Sequence, residues 1–331
     1  MDMLLPLAWA GIISFAIVMY VILDGFTLGT GMLMSILDEE ERDLATSVIL
    51  PTWDGNQTWL VLGGAALYGA FPIAFSALLP VLYLPLMMMV IALLFRGVVF
   101  EFRLKEKEDK KYWDRVLIIA SLFVTMIQGL LLGNFVEGFE YSVDPYLISD
   151  HAPITAFSFF VGLSLVIGYC LLGATRLINK TEGKLQKKMF RLVPYLAIGI
   201  MVSIGIVSLW TPYQNEKIFD RWFSHGQYLL LFILPYISVI TFVILLFAVK
   251  KREEHLPFWC SVVLFLCPYI GFCVSVYPYI IPYKITFWEA AAPTSSLYFM
   301  LVGAVIMLPL LIVYTGYAYQ IFKGKVKNVF Y

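Results

Sequence analysis

Asp24, Asp54 and Arg96 are charged residues that lie within or at the edge of long apolar segments in the N-terminal third of the chain. A charged side chain at the centre of a lipid bilayer costs roughly 3 kcal/mol or more, so such residues commonly mark a proton or ion route, or a contact between subunits. Two carboxylates and one guanidinium therefore indicate proton transfer, ion transport or an ion pair that joins helices.

The depths of these groups in the membrane suggest how they could work together. Asp24 lies two thirds of the way along the first apolar segment, and Thr27 shares its helical face about one turn later. Arg96 lies in the inner third of the third segment, where it can form a salt bridge with either aspartate. The arrangement favours a proton or ion conduit, with a purely structural ion pair as the open alternative.

The segment WDGN at 53–56 stands at the inner end of the second apolar run. Trp53 is typical of a membrane interface, and Asp54 and Asn56 add hydrogen-bonding side chains beside it. Asp54 is placed to collect protons from the cytoplasm, although it could instead cap a helix that begins near Asn56. Arg103 is expected at the inner interface, where a long side chain reaches water without a functional reason.

The composition assigns the chain to the integral membrane proteins. Hydrophobic residues make up 61% of the 331 residues, charged residues 14%, and the mean hydropathy is +0.84, which excludes an ordinary soluble domain. A spanning helix requires about 20 apolar residues, and continuous apolar runs predict helices rather than the alternating strands of a membrane barrel. The sequence predicts an all-α, polytopic bundle with nine transmembrane segments, at about 7–35, 57–77, 79–102, 116–136, 154–175, 192–210, 227–249, 257–281 and 295–321.

The basic residues predict the orientation. With an outer N-terminus, all but three of the 23 Lys and Arg residues fall on the inner side, the exceptions being Lys217, Arg221 and Lys284. Because Lys and Arg in short loops stay in the cytoplasm, the N-terminus is expected outside and the C-terminus inside. The first inner loop, 38–51, mixes charged and apolar residues at helical spacing, which fits a short amphipathic helix or a solvated connector equally well.

Two pairs of glycines have the GxxxG spacing that lets membrane helices approach closely: Gly25 with Gly29, and Gly129 with Gly133. Such pairs are common in membrane helices, so they do not identify which helices meet. They predict only that the first and fourth apolar segments pack tightly against some neighbour.

Histidine and cysteine are poorly placed to hold a redox centre in this chain. A haem buried in a helical bundle needs axial ligands at membrane depth, typically His or Met. The three histidines fall in loops or at segment ends, and the four cysteines lack metal-ligand spacing: His151, His225, His255, Cys170, Cys260, Cys267 and Cys273. The methionines fit ordinary apolar packing. We therefore expect this chain to bind no haem and no metal directly.

Three segments resemble the signature stretches of a known family. LDGFTLGTGML at 23–33, PTWDGNQTWLVLGGAALYGAFP at 51–72 and FRGVVFEFR at 95–103 are similar to those of the smaller subunit, subunit II, of cytochrome bd-type quinol oxidases. The number of predicted segments and their orientation fit the same family. The resemblance implies two four-helix bundles, at 1–136 and 154–281, and one peripheral helix at 295–321.

The family resemblance also implies partners and a reaction. A larger homologous subunit would carry two haem b and one haem d, oxidise quinol near the outer face, and reduce dioxygen to water with cytoplasmic protons, separating charge without pumping. The implied location is the bacterial cytoplasmic membrane, with no nucleic-acid partner. Small single-span accessory subunits, and a quinone or lipid held by this chain, are left open.

The resemblance assigns roles residue by residue. Asp24 and Asp54 match the aspartates of the family's proton pathway, with Thr27, Trp53, Asn56 and Arg96 in supporting positions. Thr27 stands where many members have a second aspartate, a departure that is similar to the cyanide-insensitive branch and puts a carboxylate-dependent relay step in doubt. A hydroxyl can still pass a proton through water. The alternatives from other classes are a proton-coupled secondary transporter, for which no inverted repeat is evident, and a structural membrane scaffold.

Overall fold

The computed structural model describes residues 3–105, 109–139, 154–223 and 228–326, and these are almost entirely helical. A two-stranded antiparallel hairpin, β1 (Tyr279–Ile281) and β2 (Ile285–Thr286), lies before the last helix. The helices are α1 (Leu4–Leu33), α2 (Glu39–Ile49), α3 (Trp53–Ala70), α4 (Pro72–Lys105), α5 (Lys110–Glu137), α6 (Ala156–Lys180), α7 (Gly183–Trp210), α8 (Glu216–Phe223), α9 (Tyr228–Lys250), α10 (Leu256–Val276) and α11 (Thr294–Ile321).

Eight helical segments in the described ranges are long and apolar enough to cross a membrane, which confirms a polytopic all-α membrane protein. They correspond to eight of the nine predicted segments. The remaining one falls on α3, which is 18 residues long and carries Asp54, Asn56 and Gln57 in its first turns. The count of nine, the orientation of the termini and the division into two bundles stay predictions.

Several helix bounds differ from the sequence-based ones. The second and third predicted segments meet at Phe71 and Pro72 rather than near residue 78, because Pro72 begins α4 where no backbone N–H is needed. α10 ends at Val276, so the predicted run to 281 includes the start of the hairpin. Several helices also extend beyond the apolar run, since α5 begins at Lys110 and α7 at Gly183.

The segment 38–51 contains a helix, in agreement with one of the two expectations. α2 begins after Asp38, and Glu41 accepts a hydrogen bond from the Asp38 backbone N–H at 3.0 Å, as in a capping box. Lys184 at the start of α7 donates to the Asp38 carboxylate, and this contact lowers the pKa of Asp38. An ion pair therefore joins α2 to the N-terminal end of α7.

α6 is the central helix of the bundle and packs against α1, α5 and α7. The main core consists of apolar side chains from these helices and from α10, among them Leu28, Leu117, Leu172, Val193 and Leu264. The C-terminal third of α1, from Asp24 to Leu33, is buried on every side. Any polar group on that part of α1 must therefore find its partner within the protein.

The two GxxxG pairs lie at close contacts between helices. A Cβ atom at Gly29 would lie 1.7 Å from the backbone oxygen of Tyr169 in α6, and one at Gly129 would lie 2.4 Å from the Cα of Gly162, also in α6. Both pairs therefore face the same helix, a partner that the sequence pattern did not identify. α11 differs from the central helices: it packs mainly on α1 and α3 and is mostly exposed.

Candidate functional site: a buried ion pair and its polar surroundings

Asp24 and Arg96 form an ion pair inside the helical bundle. Arg96 Nη1 lies 2.9 Å from Asp24 Oδ2, and Arg96 Nη2 lies 2.5 Å from Oδ1, so the guanidinium binds the carboxylate through two parallel hydrogen bonds. The side chain of Arg96 is 1% exposed and that of Asp24 is 0% exposed. Of the two partners that the sequence left open for Arg96, the structure pairs it with Asp24.

Two hydroxyl groups of α1 flank the Asp24 carboxylate. Thr27 Oγ1 donates to Asp24 Oδ1 at 2.6 Å and to the Asp24 backbone oxygen at 2.8 Å. Tyr20 lies one turn before Asp24 on the same face, with its phenol directed towards the carboxylate. Thr27 is therefore a direct hydrogen-bond partner of Asp24.

A hydrogen-bonded chain continues from Tyr20 into α5 and α6. Gln128 of α5 donates from Nε2 to the Tyr20 hydroxyl at 2.7 Å, and Tyr169 of α6 donates to Gln128 Oε1 at 2.8 Å. Tyr20 and Tyr169 are buried. Sequence reasoning missed these three residues, although an unexplained Gln inside an apolar segment was an available signal. The chain gives Asp24 polar neighbours on three helices.

Asn56 connects the start of α3 to the residue before Asp24. Its Nδ2 donates to the Leu23 backbone oxygen at 2.8 Å, and its Oδ1 accepts a hydrogen bond from the Tyr319 hydroxyl of α11 at 2.9 Å. Asn56 is 1% exposed. This amide therefore joins three helices beside the ion pair, which gives it a larger structural role than the sequence suggested.

Asp54 lies in the first turn of α3 and is exposed. α3 begins at Trp53 with Thr52 at the N-cap position, so the expectation that Asp54 caps a helix starting near Asn56 is wrong. In the part of the chain that the structure describes, the Asp54 carboxylate has no ion-pair partner. The Trp53 ring packs on Phe100 of α4 with 4.9 Å between ring centroids and so positions the start of α3.

A second ionic cluster lies at the C-terminal end of α4 and the N-terminal end of α5. Arg103 Nε lies 2.6 Å from Asp114 Oδ1, and Arg103 Nη2 lies 2.7 Å from Asp43 Oδ1 of α2. Arg42 also reaches Asp114, at 3.4 Å, and Lys110 contacts Asp43. Arg103 is 1% exposed, so the expectation that it reaches into water is wrong. The partner Asp114 lies within a helix that extends beyond the predicted apolar segment.

Side chains suited to bind a metal ion do not cluster within the described residues. No group of three or more His, Cys, Asp or Glu side chains in those ranges could hold a metal ion. His255 is exposed at the start of α10, where its Nδ1 lies 2.7 Å from the Asn179 amide, a position unlike that of an axial ligand inside a bundle. His151 and His225 lie outside the described residues. The expectation that the haems belong to a partner stays a prediction.

The fold and this site define a polytopic helical membrane protein that buries an ionised pair beside a hydrogen-bonded chain. The family model described as Cytochrome bd terminal oxidase subunit II matches residues 5–322. The chain therefore belongs to the cytochrome bd oxidase subunit II family.

Individual relatives align with this chain over nearly its whole length. Cytochrome bd-I ubiquinol oxidase subunit 2 of Escherichia coli (strain K12) is 24% identical over 96% of this chain and 94% of its own length. Cytochrome bd ubiquinol oxidase subunit 2 of Bacillus subtilis (strain 168) is 25% identical over 97% of this chain and 96% of its own length. A chain in the structure of bd oxidase from Geobacillus thermodenitrificans shares the fold, with a TM-score of 0.81, 16% identity, and coverage of 96% of this chain and 98% of that one.

Proposed function

We propose that this chain is the haem-free subunit of a bd-type terminal oxidase in the bacterial cytoplasmic membrane, a complex that oxidises quinol and reduces dioxygen to water. Family membership over residues 5–322 supports the assignment. The haems of the larger subunit would supply electron transfer and oxygen reduction. Among the described residues, this chain offers buried proton-handling groups instead.

We infer that this subunit contributes a route for protons taken up from the cytoplasm. The observation that carries this inference is the buried Asp24–Arg96 pair, which has Asn56 and the start of α3 on one side and Tyr20 on the other. Protons pass through a low-dielectric core along chains of hydroxyl, amide and carboxylate groups. The ion pair would place a fixed dipole at the middle of that route.

The two aspartates would have different tasks. Asp54 is exposed at the start of α3, so it can exchange protons with water. Asp24 is fully buried and accepts hydrogen bonds from Arg96 and Thr27, which hold its carboxylate in a fixed orientation. We propose that Asp54 collects protons and that Asp24, held by Arg96, orients the hydroxyl groups through which they continue.

Uptake of protons on the inner side would make the oxidase electrogenic without a pump. Quinol oxidation near the outer face releases protons there, whereas oxygen reduction consumes protons that enter through this route. Each electron transferred would then be matched by one proton crossing part of the membrane, and the buried groups of this chain need only conduct.

The test is oxygen uptake per haem, together with proton uptake from the inner side of vesicles that contain the complex. Asp54→Asn keeps the size and polarity of the side chain but cannot release a proton, so we expect slower turnover with normal yield of complex. Asp24→Asn removes the charge that binds Arg96, so both turnover and yield should fall.

Glu101→Gln is the matched control, since Glu101 is an exposed carboxylate at the inner end of α4. This variant should behave like the unmodified protein. Full turnover and intact proton uptake in Asp54→Asn would refute the proton route and leave this chain as a scaffold for its partner. The tightly held Asp24–Arg96 pair is the observation that favours the scaffold function.

A further inference from the structure

Arg176, near the inner end of α6, is surrounded by three aromatic rings. Its guanidinium carbon lies 5.1 Å from the ring centroid of Phe26, 5.3 Å from that of Phe258 and 5.4 Å from that of Tyr319. These rings belong to α1, α10 and α11, so four helices meet around one positive charge. Cation–π contacts of this kind hold the planar group in a defined orientation.

This guanidinium has no ionic partner in the described part of the chain. Arg96 and Arg103, the two fully buried arginines, both bind carboxylates. Arg176 binds none, and its Nε is buried without a hydrogen-bond acceptor. Glu254, in the loop before α10, pairs with Lys325 instead. A charge within a membrane-spanning helix that lacks a counter-charge is costly, because aromatic rings replace only part of the lost hydration.

A second positive charge lies one helical turn further along α6. Lys180 is buried, and its Nζ contacts the backbone oxygens of Phe322 and Gly324 after α11. These partners are neutral, so the inner end of α6 carries two positive charges that no described carboxylate balances. An anion that reached both residues would gain charge-assisted hydrogen bonds and supply the missing charge.

The surroundings of Arg176 favour a lipid over a protein as the source of that anion. Arg176 is only partly buried, and the helix beside it, α11, is mostly exposed and packs mainly on α1 and α3. An amphiphile could therefore place acyl chains along the exposed apolar side of α11 while its headgroup lies at the inner boundary of the membrane. The planar, multiply donating guanidinium suits phosphate oxygens.

We propose that Arg176 and Lys180 form a binding site for the phosphate of an anionic membrane phospholipid. The lipid phosphate would neutralise the charges at the inner end of α6. The aromatic rings of α1, α10 and α11 would keep the Arg176 guanidinium in place. Lipid binding would therefore stabilise the packing of α11 against the bundle.

The test uses the oxidase complex purified in detergent and stripped of lipid. Dioleoyl-phosphatidylglycerol is titrated, and the thermal unfolding midpoint and the lipid retained in native mass spectra are measured. We expect phosphatidylglycerol to raise the midpoint more than phosphatidylcholine does. Arg176→Gln should require about tenfold more phosphatidylglycerol for the same shift, as loss of a charge-assisted hydrogen bond implies. Arg191→Gln, an exposed arginine of α7, should leave the titration unchanged.

Further measurements identify the source of the anion. If inorganic phosphate reproduces the effect of phosphatidylglycerol, or if Arg176→Gln leaves the titration unchanged, the proposal is overturned. Loss of the larger subunit in Arg176→Gln with unchanged lipid content would assign the site to a protein carboxylate and also overturn it. If Arg176→Gln does not assemble, Lys180→Gln should show the weakened response. Normal titration in Lys180→Gln would then count against the lipid site.

Discussion

Replacing Arg96 with leucine should strongly destabilise the complex, because it leaves the Asp24 carboxylate without its counter-charge. Both side chains are almost completely buried, and two hydrogen bonds of 2.9 and 2.5 Å join them. Removing one partner of a buried ion pair typically costs about 3–5 kcal/mol. The folded population relative to the unfolded one should therefore fall by roughly 10²- to 10⁴-fold.

The assay is SDS-induced unfolding of the purified complex, together with the yield of assembled complex from membranes. Lys105→Met is the matched control on the same helix. Lys105 and Glu101 form a contact of 3.8 Å, but their side chains are 80% and 70% exposed. An exposed pair of this spacing contributes at most about 0.5 kcal/mol, so the control should unfold almost like the unmodified protein.

The double variant Asp24→Leu with Arg96→Leu separates ion pairing from packing. When both charges are removed, no buried charge is left unpaired. Much of the lost stability should therefore return. A double-mutant cycle then gives a coupling energy of the same order as the single losses. If Arg96→Leu assembles and unfolds normally, or if the two losses simply add, the pair contributes no coupled stability and the reasoning is refuted.

Three further predictions concern other parts of the bundle. Gly129→Ala should lower the yield and the unfolding midpoint, because its Cβ would overlap the backbone of α6, whereas Gly205→Ala, with open space around it, should not; equal midpoints would contradict this. Gln128→Leu removes the hydrogen-bond partner of the two tyrosine hydroxyls that it joins, so it should lower the free energy of unfolding by about 1–3 kcal/mol in the same assay. An unchanged stability would show that this hydrogen-bonded chain is dispensable. Lys184 lowers the pKa of Asp38, so their contact is present at neutral pH and is lost as pH falls through the lowered pKa. The protection of α2 amides from hydrogen exchange, after correction for the intrinsic pH dependence of the rate, should decrease on acidification, and Lys184→Gln should remove that decrease.

The sequence determined the class of the protein and the residues at its centre. The long apolar runs require helices in a membrane because every backbone polar group in lipid must be satisfied within its own segment. Asp24 and Arg96 stood out for the same reason, since charge in such a run needs a partner. The WDGN segment and its neighbours indicated the family, which the match over residues 5–322 confirms.

Local patterns were less reliable at the ends of helices. Apolar composition reports where a segment is in lipid, but a helix continues into polar sequence as long as its backbone hydrogen bonds are made. Asp114 was therefore missed, although it lies inside α5 and binds Arg103. The interpretation of Arg103 as a side chain in water failed because its burial depends on α2 and α5, which composition does not place.

The tertiary structure alone decided which groups meet. Residues 72 positions apart form the Asp24–Arg96 pair, and the sequence allowed Asp54 equally well. The Gln128 chain and the aromatic surroundings of Arg176 each combine residues from at least three helices. Helical spacing predicts neighbours three or four residues apart on one helix. Contacts between helices depend on how closely each pair packs, and here the glycines facing α6 set that distance.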